Sequence, residues 1–220
     1  MKQELTQIIK SDNFRDLVSE ISEVILDSIL KDGLIKDIPI FSLLIKGLNL
    51  TNTIQERLYA KKLITFLKQL ENTDPEERKK EIDKIDNDPK YKTKVGEKIL
   101  YLINESDDAE KAHYSGILFK NFIEKKISYD DYIRCVNSIN KTNIIDLNNF
   151  ISENYVDSYL EKNYERYIYT GLLTQLYENP LNEYNKNSFK IIHKAQIKYK
   201  PSSIGIEIRS ILRKKNSIDL

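Results

Sequence analysis

Asp74-Pro75-Glu76-Glu77-Arg78-Lys79-Lys80-Glu81-Ile82-Asp83-Lys84-Ile85-Asp86-Asn87-Asp88-Pro89 carries a helix start and a helix stop within one stretch. Asp74 can accept hydrogen bonds from the N–H groups of the first turn. Pro75 lacks an N–H where none is needed, and Glu76 and Glu77 face the positive end of the helix dipole. Pro89 cannot continue the helix, which the spacing ends near Asp88. The same grammar extends in both directions. Upstream, Thr53 with Glu56 forms a capping box ahead of Leu58, Leu63, Ile64, Leu67 and Leu70. Phe14, Leu17, Val18, Ile21, Val24, Ile25 and Ile29 recur at three- and four-residue spacing, and Gly33 stands where a C-terminal cap belongs. Downstream, Val95, Ile99, Leu102 and Ile103 mark a helix, and Ser106-Asp107-Asp108 opens another through about Lys125. Ser128 to Asp131 opens one through about Asn140, and residues 143–152 and about 155–177 continue the pattern. The expected class is mainly α.

The pattern changes at Asn179-Pro180. Ser188-Phe-Lys-Ile-Ile-His and Gln196-Ile-Lys-Tyr-Lys partly alternate apolar and polar residues, as a half-buried hairpin does. Pro201-Ser-Ser then starts a closing helix carrying Ile204, Ile208, Ile211 and Leu212. The expected organisation is a helical body over residues 1–150, followed by a small module with one β-hairpin over residues 151–220.

Apolar residues make up 40% of the 220, enough for a core, against 31% charged. The single cysteine, Cys135, excludes an intramolecular disulfide and fits a reducing compartment. Met1-Lys2-Gln3-Glu4 has no signal-sequence character, so a cytoplasmic location is expected. The longest apolar stretch, Leu34 to Leu50, is interrupted by Lys36, Asp37 and Lys46. It falls short of the roughly 20 apolar residues of a spanning helix. Two readings of it stand: a buried helical hairpin, which is the default, or an element whose Ile38, Ile40, Phe41 and Leu44 meet a membrane surface or a partner.

No motif for catalysis emerges. His113 and His193 are far apart and sit in no ligand-spaced cluster, so no metal site is expected. Arg134 beside Cys135 could lower a thiol pKa, but with no histidine close in sequence a structural cysteine is the better reading. The six glycines are scattered and form no phosphate loop, so no nucleotide cofactor is expected. Glu105, Asp107, Asp108 and Glu110 lie at a helix start, where capping accounts for them. Asp83, Asp86 and Asp88 have partial calcium-loop spacing, but the loop glycine and closing glutamate are missing. A non-enzymatic protein is expected.

The charge is uneven. Between Asn185 and Lys215 nine Lys or Arg face the single Glu207, so the overall +1 splits into +8 there and −7 elsewhere. Lys190, Lys194, Lys198 and Lys200 fall in or beside the hairpin, and Arg209 and Arg213 follow on the closing helix. Such a density can neutralise phosphates and give salt-sensitive nucleic-acid binding; a solvated surface or a protein-docking patch is the blander reading. Eight of the fourteen tyrosines lie beyond residue 154. Tyr155, Tyr159, Tyr164, Tyr167 and Tyr169 could stack on bases, though helix packing is the commoner use.

Two stretches resemble known patterns. Asp32-Gly33-Leu34-Ile35-Lys36-Asp37-Ile38-Pro39-Ile40, the helix from Ile54 to Leu70, and Ile127-Ser128-Tyr129-Asp130-Asp131-Tyr132 occur in that order in an uncharacterised family of bacterial helical proteins. That family is met on mobile elements and near phage-defence genes. The resemblance, over about residues 30–150, implies a bacterial protein in a defence setting and supplies no catalytic residues. Residues 155–214 resemble the end of a winged-helix domain. Tyr169-Thr-Gly-Leu-Leu is similar to the helix end before a wing, and Tyr199-Lys-Pro-Ser-Ser-Ile-Gly205-Ile-Glu-Ile to a wing strand and closing helix. The Asn-rich connection from Tyr177 to Asn187 departs from that pattern. Winged helices hold proteins as well as nucleic acid, so the resemblance implies a regulatory or interaction role without choosing the partner. The competing expectation is a membrane-perturbing abortive-infection effector acting through residues 34–50.

Overall fold

The computed structural model describes residues 2–16, 18–19, 54–152, 164–178 and 196–216. Helices α1 (Lys2–Lys10), α2 (Ile54–Lys68), α3 (Pro75–Asp86), α4 (Val95–Glu105), α5 (Ala109–Ile123), α6 (Tyr129–Lys141) and α7 (Ile144–Ser152) come first. They are followed by α8 (Glu165–Tyr169), strands β1 (Leu173–Glu178) and β2 (Gln196–Pro201), and α9 (Ser203–Asn216). The described chain is mainly helical, with one two-stranded antiparallel hairpin. It divides into two compact units, Met1–Asn140 and Lys141–Leu220. Residues 14–16 and 18–19 are helical, and the rest of the periodic run to Ile29 lies outside the described residues, as do Thr53 and the whole stretch 34–50.

In the first unit the local signals form as chemistry dictates. The Asp74 carboxylate accepts from the Glu77 N–H at 2.8 Å and so caps α3. Asp108 caps α5 through the Glu110 N–H at 2.7 Å, and the Ser128 hydroxyl accepts from the Asp131 N–H at 3.1 Å while donating to its carboxylate at 2.6 Å. The last pair satisfies one orphan donor at the start of α6. Helix α5 ends differently. The Lys126 N–H bonds to Asn121 O and the Lys125 N–H to Phe122 O, both at 2.9 Å, with Lys125 at φ 59°. This is a left-handed helix cap built without glycine.

Helix α1 packs against α3 and α4, and α2 against α5 and α4. Leu5, Ile9, Leu63, Phe66, Ile82, Ile99, Leu118 and Phe119 are all buried between them. A run of rings crosses this core. Phe66 meets Phe119 at 5.6 Å between centroids, Phe119 meets Tyr132 at 5.2 Å, Phe122 meets Tyr129 at 5.3 Å, and Tyr129 meets Tyr91 edge-on at 5.0 Å. Offset and edge-on pairs of this kind add to simple burial.

Arg78, only 1% exposed, lies within the first unit. Its guanidinium donates to the carbonyls of Ile9 and Ser11 at the end of α1 and to Thr73, and it stacks 4.5 Å over the Phe14 ring. Carbonyls at a helix C-terminus have no partner within the helix, and a cation there also meets the negative end of the dipole. Lys111 is equally buried and is neutralised by Asp107 at 2.6 Å.

The second unit corrects one expectation. Residues 155–177 do not form a single helix: within their described part, α8 stops at Tyr169 and 173–178 is a strand. Gly171, at φ 81°, makes the break. Its N–H bonds to Ile168 O at 3.0 Å and the Leu172 N–H to Tyr167 O at 2.9 Å, the double bond of a Schellman cap, with Tyr167 and Leu172 both buried. The strand that pairs with β2 is therefore β1, and residues 188–193, expected to form that strand, lie outside the described residues.

After β2 the chain turns straight into α9. The Ser202 hydroxyl accepts from the Gly205 N–H at 3.0 Å and donates to Gly171 O at 2.6 Å, while the Ser202 N–H bonds to Leu172 O at 3.0 Å. Gly205 rests on the same peptide: a Cβ there would lie 2.2 Å from Leu172 O and 2.9 Å from Phe150 Cζ. The buried positions Gly205, Ile208, Arg209 and Leu212 form one stripe of α9, and that helix packs on α7.

Candidate nucleic-acid interface

The pairing register sets what the hairpin displays. Lys200 stands opposite Thr174 and Lys198 opposite Leu176, while Tyr199 stands opposite Gln175 and Pro201 opposite Leu173. Side chains alternate across a strand, so Lys198 and Lys200 share one face and Tyr199 takes the other with Leu173. Leu173 is buried, and the Tyr199 ring meets Tyr164 edge-on at 5.8 Å. That contact holds the Leu173–Tyr199 end of this face inward, while Tyr177 further along it is 74% exposed. Lys200 is exposed and Lys198 half-buried, on a face that includes the part-exposed Leu176.

Arg209 and Arg213 have a different task. The Arg209 Nε donates to Phe150 O at 2.8 Å, and its guanidinium stacks 4.1 Å over the Phe150 ring; Arg209 is 9% exposed. The Arg213 Nε donates to Ile151 O. Both carbonyls belong to the last turn of α7, so the two arginines close that helix end just as Arg78 closes α1. Lys190 and Lys194 lie outside the described residues, as do Tyr155 and Tyr159 and the membrane or partner candidates Ile38, Ile40, Phe41 and Leu44. Of the remaining late tyrosines, Tyr164 and Tyr167 are buried, with the Tyr167 hydroxyl donating to Asp146 O at 3.2 Å, and Tyr169 is 84% exposed.

Most of the other residues considered for chemistry have structural partners; Glu105 instead is the exposed last residue of α4. Asp107 neutralises Lys111, Asp108 caps α5, and Glu110 accepts from the Tyr114 hydroxyl at 2.8 Å. Burial, and then that hydrogen bond, push the Tyr114 phenol up. Asp83 pairs with Lys10, Asp86 accepts from the Val95 N–H at 2.8 Å at the start of α4, and Asp88 accepts from the Lys90 N–H at 2.9 Å. Cys135 is fully buried. His113 is half-buried beside Tyr114, and His193 lies outside the described residues. No group of three His, Cys, Asp or Glu among the described residues could hold a metal ion. No helix among them is long and apolar enough to cross a membrane.

The structure also gathers cations that the sequence leaves scattered. Lys90 and Lys92 of the α3–α4 connection, Lys98 of α4 and Arg134 of α6 line one open groove of about 530 Å³ with Tyr91 and Asp130. The Tyr91 hydroxyl donates to Asp130 Oδ1 at 2.8 Å and Lys90 bonds the other oxygen. The Lys90 bond first, and then the Tyr91 bond, hold the Asp130 carboxyl below its usual value. The same carboxylate, followed by the Tyr91 hydroxyl, raises Lys90. The alternating Lys90-Tyr91-Lys92-Thr93-Lys94 run was the available signal; it is short, and Arg134 joins it only through the fold. Compared with known proteins, the chain matches no family model, no curated protein and no solved structure.

Proposed function

We propose that this is a non-enzymatic interaction protein of regulatory type whose basic C-terminal module contacts nucleic acid, in the setting of bacterial phage defence. The defence setting is supported by the resemblance over residues 30–150 alone. The nucleic-acid contact is supported by the hairpin register: Lys198 and Lys200 lie two residues apart on one face of β2, while Tyr199 is held from the opposite face. Strand geometry spaces such a pair by about 7 Å, so neighbouring phosphates can each be met by one lysine. Arg209 and Arg213 are left out of this contact set, because their donors bond α7.

The test is equilibrium binding of the full chain to duplex DNA across a salt series, beside a Lys198→Glu/Lys200→Glu variant. Loss of two phosphate contacts should lower the slope of log K against log salt by about 2 and weaken binding at every salt concentration. Absence of binding by the unaltered protein at low salt would remove the nucleic-acid reading and leave a protein partner as the module's ligand.

A further inference from the structure

The groove between the α3–α4 connection and α6 is unusual for its place. The chain outside residues 185–215 is acidic by seven charges, yet this one trough holds Lys90, Lys92, Lys98 and Arg134 against the single carboxylate Asp130. These cations are not core struts like Arg78. Lys90 and Lys92 are exposed, Lys98 is half-buried beside Tyr101, and the Arg134 side chain is 67% exposed at 3.6 Å from Asp131. Lys92 has no ion-pair partner among the described residues. Like charges gathered in an open trough raise the local concentration of anions.

The aromatic part of the groove is held in place. The Tyr91 ring is fixed edge-on by the buried Tyr129, itself anchored on Phe122, and its hydroxyl is fixed by Asp130. The Lys90 ammonium lies over this half-buried ring, 4.9 Å from its centroid, and the rest of the ring presents a set surface at little cost in conformational entropy on binding. The trough is open rather than enclosed, and its cations come from three separate elements, the α3–α4 connection, α4 and α6. That layout suits a chain passing through, with repeated charge and a planar group per repeat. A duplex keeps its bases paired and away from such a ring, and an acidic peptide gains nothing from it.

We propose that this groove takes a single strand of nucleic acid, with phosphodiester oxygens on Lys92, Lys98 and Arg134 and an unpaired base against the Tyr91 ring. The inference rests on the nucleic-acid reading above for the class of ligand, and adds to it a second contact on the first unit with its own preference for single strands. Stacking on an aromatic side chain is tolerant of sequence, so little base selectivity is expected.

The experiment measures binding of a fluorescent oligo(dT) to the full chain across a salt series, for the unaltered protein and three variants. Lys92→Gln/Arg134→Gln should lower the slope of log K against log salt by about 1.4, the contribution of two phosphates on a single strand. Tyr91→Leu should weaken binding roughly 5- to 150-fold, the usual range for one lost base stack. Lys198→Glu/Lys200→Glu should leave the groove's share of the slope in place. Far-UV circular dichroism shows whether each variant stays folded; the exposed charge pair is expected to be silent there. Unchanged affinity and slope in both groove variants, with loss in the hairpin variant, would overturn the groove and leave the hairpin reading standing. Loss in the groove variants alone would do the reverse. If polyglutamate binds as tightly as the oligonucleotide and Tyr91→Leu costs nothing, the groove is a site for acidic peptide and the proposal is wrong.

Discussion

Arg78 and Arg209 solve the same problem in the two units. Each sits over a phenylalanine ring, Phe14 or Phe150, and donates to carbonyls at a helix end. A planar fork with several donors suits this, and an ammonium does not. Burial pushes the Arg78 guanidinium down, opposed by Asp74 and Asp12. Arg78→Met keeps much of the packing but removes the guanidinium donors from Ile9 O, Ser11 O and Thr73, leaving Ser11 O only the Phe14 N–H. It should cost about 3 kcal/mol or more, read as a lower urea midpoint. Gly205→Ala acts through space instead. Its methyl would meet a backbone oxygen at 2.2 Å, which cannot swing aside as a flexible side chain can. A loss of about 3 kcal/mol is expected by thermal unfolding, at the upper end for overpacking.

Among elements, the caps divide into those readable from the sequence and those that depend on chain reversal. Asp74 and Ser128 act as the local sequence leads one to expect, because a cap needs only residues within three positions. Asp74→Ala should lower stability by about 1 kcal/mol. The end of α8 was not readable from spacing, which runs on past Gly171; the resemblance of Tyr169-Thr-Gly-Leu-Leu to a helix end pointed to it, and the pairing of β1 with β2 makes the next residues a strand. At the start of α6, Asp130 ties the groove wall to Lys90 and Tyr91. Its folded-state pKa is depressed, so its stabilising contribution is present above the unfolded value near about 3.9 and is lost as pH falls through the lower folded value. Lys90 is raised, so its share is present below about 10.4 and is lost only as pH rises through the folded value. A carboxyl-detected titration should place Asp130 below an ordinary aspartate, and Tyr91→Phe should move it back up.

At the scale of the whole molecule, the two units have separate cores. Phe66, Leu118, Phe119 and Tyr132 belong to one, and Phe150, Tyr167, Leu172, Ile208 and Leu212 to the other. Hydrogen exchange on Gly205→Ala should therefore show faster amides in 144–152 and 203–212, while those in 117–123 keep their protection. Uniform loss of protection across both units would mean that they open together.

The sequence by itself determined the helical class, the caps at Asp74, Asp108 and Ser128, the second strand of the late hairpin and the basic bias of its last segment. Each of these depends on spacing within a few residues or on composition. Only the tertiary structure decided which cations face outward. Arg209 and Arg213 read like Lys198 and Lys200 in sequence, but their donors find carbonyls 59 and 62 positions away. Arg134 likewise joins Lys92 only because α6 folds beside the α3–α4 connection. Burial and charge clustering are sums over neighbours brought together by the fold, and local periodicity holds no record of them.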